Sequence, residues 1–166
     1  MIDRLRAHWK KYALQSFLAA LFLFPLLFLL TLQYAVIIAS IGASTFIVFA
    51  MPKSFVARPR SLVGGQLTGL FSGFLCSLLP HSPLVFQVLA YSLAVGLALF
   101  LMVSLGTEHP PGAATSLGMS ITGFSWAATI AVIISIVVLS VLHHFLKPHL
   151  EDLVLLKEKP IKPSRR

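Results

Sequence analysis

Thr107-Glu108-His109-Pro110-Pro111-Gly112-Ala113-Ala114-Thr115 sets a carboxylate, an imidazole and two adjacent prolines inside an otherwise apolar chain. Of the 166 residues, 57% are hydrophobic and only 11% are charged, whereas soluble domains carry about a quarter charged residues. The mean hydropathy is +0.91. Such a composition belongs in a bilayer, where an irregular polar break is tolerated only if it is buried in protein or lines a cavity. How the stretch from Thr107 to Thr115 is placed therefore decides the fold.

Apolar segments long enough, or nearly so, to cross a membrane cover residues 13–32, 34–51, 61–79, 84–105 and 125–146. Residues 110–123 are rich in Gly, Ala, Ser and Thr and read as a weak candidate by hydropathy alone. Charge placement decides in favour of a sixth span. All 13 Lys and Arg residues fall at Arg4 to Lys11, at Lys53, Arg58 and Arg60, or in the tail from Lys147 to Arg166. With six crossings every one of them lies on one face, the cytoplasmic one by the positive-inside rule; with five, the tail is stranded outside. The expected organisation is a basic cytoplasmic N-terminus over residues 1–12, a six-span transmembrane domain over 13–146 and a basic cytoplasmic tail over 147–166. The fold class is an all-α, polytopic transmembrane helix bundle, and the inner membrane of a bacterium is the expected location. The net charge of +8 is explained by this topology, so no nucleic-acid partner is expected.

Fourteen residues from Pro110 to Gly123 rise only about 21 Å as a helix, short of the roughly 30 Å hydrocarbon core. Part of that crossing must be non-helical. Its small residues let neighbouring backbones approach, which places the helix centrally in the bundle. Gly42-Ala43-Ser44-Thr45 resembles Gly112-Ala113-Ala114-Thr115 at an offset of 112 minus 42, or 70 residues. The same offset carries the first span onto the fourth and the third onto the sixth. Three spans followed by three oppositely oriented ones is the inverted 3+3 repeat of many transporters, here with short or broken second and fifth helices.

Proline is favourable in the first turn of a helix, where its missing N–H would be unpaired anyway. Pro110-Pro111 thus marks a helix start, and the N–H groups of Gly112, Ala113 and Ala114 are candidate anion donors, with the Thr115 hydroxyl beside them. Gly42, Ala43, Ser44 and Thr45 are the matching candidates on the second span. Glu108 is the only acid between Asp3 and Glu151, so with His109 it is a candidate for proton coupling. Arg58 and Arg60 flank Pro59 before the third span and can clamp an oxyanion through paired N–H groups, although ordinary positive-inside charge explains them equally well. Gly64, Gly65, Gly69 and Gly73 suggest a tightly packed helix, not a phosphate loop. His143, His144 and His149 read as interfacial. The single Cys76 excludes an intrachain disulfide, and no metal or other cofactor is expected.

His109-Pro110-Pro111-Gly112-Ala113, together with Gly42-Ala43-Ser44 and with Ala57-Arg58-Pro59-Arg60 leading into Gly64-Gly65, resembles the HPP family of integral membrane proteins. The resemblance implies a compact helical bundle and, as in plastid and cyanobacterial members, nitrite transport. It points to Gly42, Ala43, Ser44, Pro59, Arg60, Gly64, Gly65, His109, Pro110 and Pro111 as motif positions. The pattern often has a histidine after the paired glycines, where this chain has Gln66. The expectation is a membrane transporter, not an enzyme, that binds a small anion such as nitrite at helix N-termini near the midplane. The alternatives are a passive channel for a small polar solute and, further off, a membrane-embedded enzyme. The lipid bilayer is the expected partner, and assembly as a homo-oligomer stays open.

Overall fold

The computed structural model describes residues 2–29 and 34–154, with side chains placed for 9–11, 13–24 and 34–154. The side chains of Arg4 and Arg6, and the whole of the basic tail beyond residue 154, lie outside what the structure describes. Six α-helices and no strand are found among the described residues: α1 Ile2–Leu29, α2 Ala35–Ala50, α3 Pro59–Ser77, α4 Leu84–Leu105, α5 Pro111–Thr122 and α6 Trp126–Leu146. A short 3₁₀ turn, Phe55–Ala57, precedes α3. The first helix starts at Ile2, well before the apolar segment. Arg, Lys and Ala are strong helix formers and no breaker separates the basic residues from the apolar ones.

Local chemistry sets the other boundaries. Pro59 and Pro111 occupy first-turn positions of α3 and α5. Helix α4 ends at Gly106, whose φ of +61° suits glycine, and the Thr107 N–H folds back to the Met102 carbonyl at 2.9 Å. Arg60 adds to that cap, its Nη2 donating to the Leu105 carbonyl at 3.1 Å. Ser125 caps α6 by accepting from the Ala128 N–H at 3.4 Å.

Contacts at the two ends show that the helices alternate in direction. At one end Gln15 of α1 donates to Phe49 O at the end of α2, Arg60 meets the end of α4, and His143 near the end of α6 donates to Pro52 O. The segment after α6 folds back there, with Leu153 N–H on Ala50 O at 2.8 Å and Glu151 paired with Lys11. At the other end Tyr34 meets Ser125 at 2.8 Å, and Phe74, Phe124 and Trp126 pack edge to face. Lys11, Lys53, Arg58, Arg60 and Lys147 therefore share the first end.

The burial pattern is that of a membrane protein. Leu99, Phe100, Val103, Val137 and Phe145 face outward, whereas Ala90, Ala94, Ala98, Ser40, Ser44, Gln66 and Ser135 face inward. Among the described residues, Leu84–Leu105 and Trp126–Leu146 are long and apolar enough to cross a bilayer. The short α5 is central, packed against α2, α3 and α4.

What centres it is a seam of small residues. Gly65, Gly69 and Gly73 recur at i+4 along α3, and Gly112 and Ser116 answer on the parallel α5. A Cβ at Gly69 would lie 2.1 Å from the Gly112 carbonyl oxygen, one at Gly73 2.4 Å from Ser116 O, and one at Gly112 2.2 Å from Gly65 O. The backbones touch directly, as small-xxx-small helix pairs allow. Gly69→Ala should therefore force α3 and α5 apart at a cost of about 1–3 kcal/mol, the usual penalty for overpacking. The check is a lowered Tm in detergent. Gly96→Ala, where no atom lies within 4 Å of the added methyl, should leave the Tm close to that of the parent.

Candidate functional site

The glycine seam brings the α4–α5 link against α3. A Cβ at Gly65 would meet His109 Cβ at 2.4 Å and one at Gly64 would meet Thr107 at 2.5 Å, so these paired glycines make room for the Thr107-to-Pro110 segment. His109 is thereby pressed into the bundle and is 0% exposed. Its Nδ1 lies 2.9 Å from the Val56 carbonyl. A carbonyl oxygen only accepts, so Nδ1 carries the hydrogen. Its Nε2 lies 2.9 Å from Ser44 Oγ on α2.

Five side chains from three helices and the α4–α5 link form one hydrogen-bonded cluster. Gln66 of α3 is its hub: the amide nitrogen donates to Ser44 Oγ at 2.9 Å and to Ser40 Oγ at 3.2 Å. Its oxygen accepts from Thr115 Oγ1 of α5 at 2.6 Å. Ser40 meets Thr115 Oγ1 at 2.6 Å and donates to the Pro111 carbonyl. Ser40, Ser44, Gln66, His109 and Thr115 are all 0–1% exposed. Of the residues expected for the site, Ser44 thus bonds His109 directly, and Thr115 reaches it only through Ser40, Gln66 and Ser44.

Hydrogen positions in the cluster have two solutions. Ser44 Oγ also lies 3.0 Å from the Ser40 carbonyl, and one hydroxyl hydrogen cannot serve both that oxygen and a bare Nε2. In the neutral imidazole, Ser44 donates to Nε2. In the imidazolium, Nε2–H donates to Ser44 and the hydroxyl turns to the Ser40 carbonyl. A proton is accommodated by one hydroxyl rotation.

Other expected residues lie elsewhere. Helix α2 runs unbroken from Ala35 to Ala50, so Gly42 is mid-helix and the half-helix start expected there does not form. No proline precedes Gly42 to end one helix and begin another, and its N–H is inside the helix. Ala43 faces outward, and the Thr45 hydroxyl turns back to Ile41 O at 2.8 Å. At the start of α5 the Gly112 and Ala113 N–H groups donate to the carbonyls of His109 and Pro110 at 2.8 and 3.0 Å. Gly112 is also sealed against Gly65, so these amides are not open anion donors. Arg58 is exposed at the basic end, while Arg60 caps α4.

Glu108 is half-buried and, among the described residues, forms no ion pair. It lines a cavity of about 170 Å³ with His109, Leu99, Met102, Val103 and Ala113. A more open cleft of about 450 Å³ lies on the other side of Pro110, bounded by Ala43, Phe46, Ile47, Pro111 and Ala114. Of the cluster residues only His109 lines either space. His143, expected at the interface, is instead 2% exposed. It falls on the i+4 ladder Ala131, Ser135, Leu139, His143, all buried, and that periodicity is the signal for its position.

Comparisons with known proteins fit this architecture. Residues 5–149 match the family described as HPP, transmembrane region. A transmembrane protein of Dictyostelium discoideum is 40% identical over 86 residues, covering 51% of this chain and 30% of that protein. A second transmembrane protein of the same organism is 34% identical over 106 residues, covering 63% of this chain and 34% of its own length. The matches thus span about a third of the length of these relatives. No solved structure matches the chain significantly. With the match running from the basic part of α1 to the end of α6 and including the His109-Pro110-Pro111 link, the chain belongs to the HPP transmembrane family.

Proposed function

We propose that this membrane protein transports a small monovalent anion, with nitrite as the leading candidate, and that the Ser40–Ser44–Gln66–His109–Thr115 cluster is where the anion is held. The observation that carries this reading is the cluster itself. Intramembrane polar sites commonly mark solute and proton paths, and here five polar side chains converge inside an apolar bundle. The donors are hydroxyls and an amide, joined by the imidazole only when Nε2 carries a proton, and among the described residues no Lys or Arg joins them. Neutral donors suit a weakly solvated monovalent anion; a more highly charged one would need fixed cations to offset its desolvation.

In this reading all six helices cross the bilayer with the basic end cytoplasmic. Exchanging α1 with α4, α2 with α5 and α3 with α6 supports an inverted repeat. The pair α3–α4 becomes α6–α1, α3–α5 becomes α6–α2 and α1–α2 becomes α4–α5, while α2–α5 and α3–α6 return to themselves. All of these are packed pairs of the bundle. On this reading the oppositely oriented halves meet at α2–α5, where Ser40 touches Thr115, and the site would belong to the repeat interface. The closed packing around His109 favours a carrier with alternating access over an open channel. The two hydrogen-bond solutions at Ser44 give the carrier a means to couple a proton, with Glu108 beside the imidazole.

Nitrite uptake into proteoliposomes tests this. The parent protein should take up nitrite saturably, faster with an inward proton gradient, and uptake no faster than in empty liposomes would sink the proposal. His109→Ala and Gln66→Leu each remove hydrogen bonds worth about 1.5–3 kcal/mol where charge is involved, a loss of roughly ten- to a hundredfold in uptake. Arg58→Gln, at the exposed basic end, should change uptake mainly at low ionic strength.

A further inference from the structure

The Val56 carbonyl that fixes the hydrogen of His109 belongs to a short segment held from several sides. Ser54 N–H bonds Met51 O at 3.0 Å, Ala57 N–H bonds Ser54 O at 3.2 Å and Arg58 N–H bonds Phe55 O at 3.2 Å. These overlapping turns make residues 51–58 one stiff unit between α2 and α3, with Pro52 and Ala57 buried. At its near end, the Pro52 carbonyl lies 2.8 Å from His143 Nε2, which therefore carries that ring's hydrogen. On the exposed side, Lys53 N–H donates to Asp152 Oδ1 at 3.0 Å. One buried imidazole thus holds the carbonyl of residue 52 and a second is held by the carbonyl of residue 56.

We propose that His143 is a positioning residue for the polar cluster: by anchoring Pro52 it holds the 51–58 segment so that the Val56 carbonyl keeps the hydrogen of His109 on Nδ1 and aims Nε2 at Ser44. Second partners of this kind commonly fix the tautomer and orientation of a functional histidine. Without the anchor, the segment shifts, Val56 O leaves Nδ1, and either ring nitrogen of His109 can carry the hydrogen. Ser44 then loses its fixed role as donor to Nε2. The importance of His143 for transport rests on the reading above; its effect on the His109 tautomer does not.

The test is ¹⁵N NMR of labelled imidazoles in protein reconstituted into bilayers, with nitrite uptake measured in parallel. The parent should show His109 with hydrogen on Nδ1 and His143 with hydrogen on Nε2. In His143→Phe the His109 signals should become a mixture of tautomers and uptake should fall by about tenfold, as for a lost buried hydrogen bond. His143→Gln, whose amide can donate to Pro52 O, should restore the Nδ1–H tautomer and most of the uptake. Asp152→Ala loosens the segment from its exposed side without altering α6, so it serves if His143→Phe does not fold, and it should shift His109 in the same direction to a smaller extent. An unchanged His109 tautomer in folded His143→Phe and in Asp152→Ala overturns the proposal. So does His143→Gln behaving no better than His143→Phe. Absence of nitrite uptake in the parent overturns the transport reading alone, because the tautomer signals need no substrate.

Discussion

Direct backbone contact between α3 and α5 is the constraint on which the rest of this structure depends. Hydrophobic burial does little to join helices inside a bilayer, where lipid is as apolar as the helix surface, so close packing of small residues has to do it. Gly65, Gly69 and Gly73 supply that packing against Gly112 and Ser116. Their first consequence is geometric: α5, only twelve residues long, is held in the middle of the bundle. The second is chemical. The link before α5 lies directly against Gly64 and Gly65, which sets His109 in among the hydroxyls of α2.

From that placement the cluster follows. Ser40 and Ser44 are one turn apart on α2, Thr115 is one turn into α5 and Gln66 is two turns into α3, so three helices each offer a polar side chain at one level. An amide is well suited to the hub, because it donates twice and accepts at the same time. Each partner satisfies another, which is the condition for keeping polar groups in a dry core. The arrangement around His109 is nevertheless bistable, since the Ser44 hydrogen has two acceptors within reach. A stable scaffold that retains one movable hydrogen is consistent with the proton coupling proposed above.

Much of this was legible in the chain. Pro83 and Gly106 punctuate α4, which runs over the expected residues 84–105. The small residues of 110–123 pointed to a central fifth helix, and the spacing of Gly65, Gly69 and Gly73 pointed to close packing. The likeness of Gly42 to Gly112 misled as to local structure, because only Gly112 follows a pair of prolines that begin a helix. The proline pair suggests backbone N–H groups at that start as anion donors, but two of these amides bond the turn itself. Gln66 and Ser40 were hidden for a different reason. Periodicity identifies the inward face of one helix but not which residues of another helix stand at the same height. That register is set by the α3–α5 contact and becomes visible only in three dimensions.

The central claim is that the anion is held by the cluster beside His109 and not by the exposed arginines at the basic end. Titrating nitrite into ¹³C,¹⁵N-labelled protein in bilayers, and following the Gln66 side-chain amide and His109 Nε2, tests it most directly. The account predicts saturable shifts of both signals over the concentration range in which uptake saturates. Unchanged Gln66 and His109 signals at nitrite concentrations that saturate uptake, with shifts confined to Arg58 and Arg60, would contradict it.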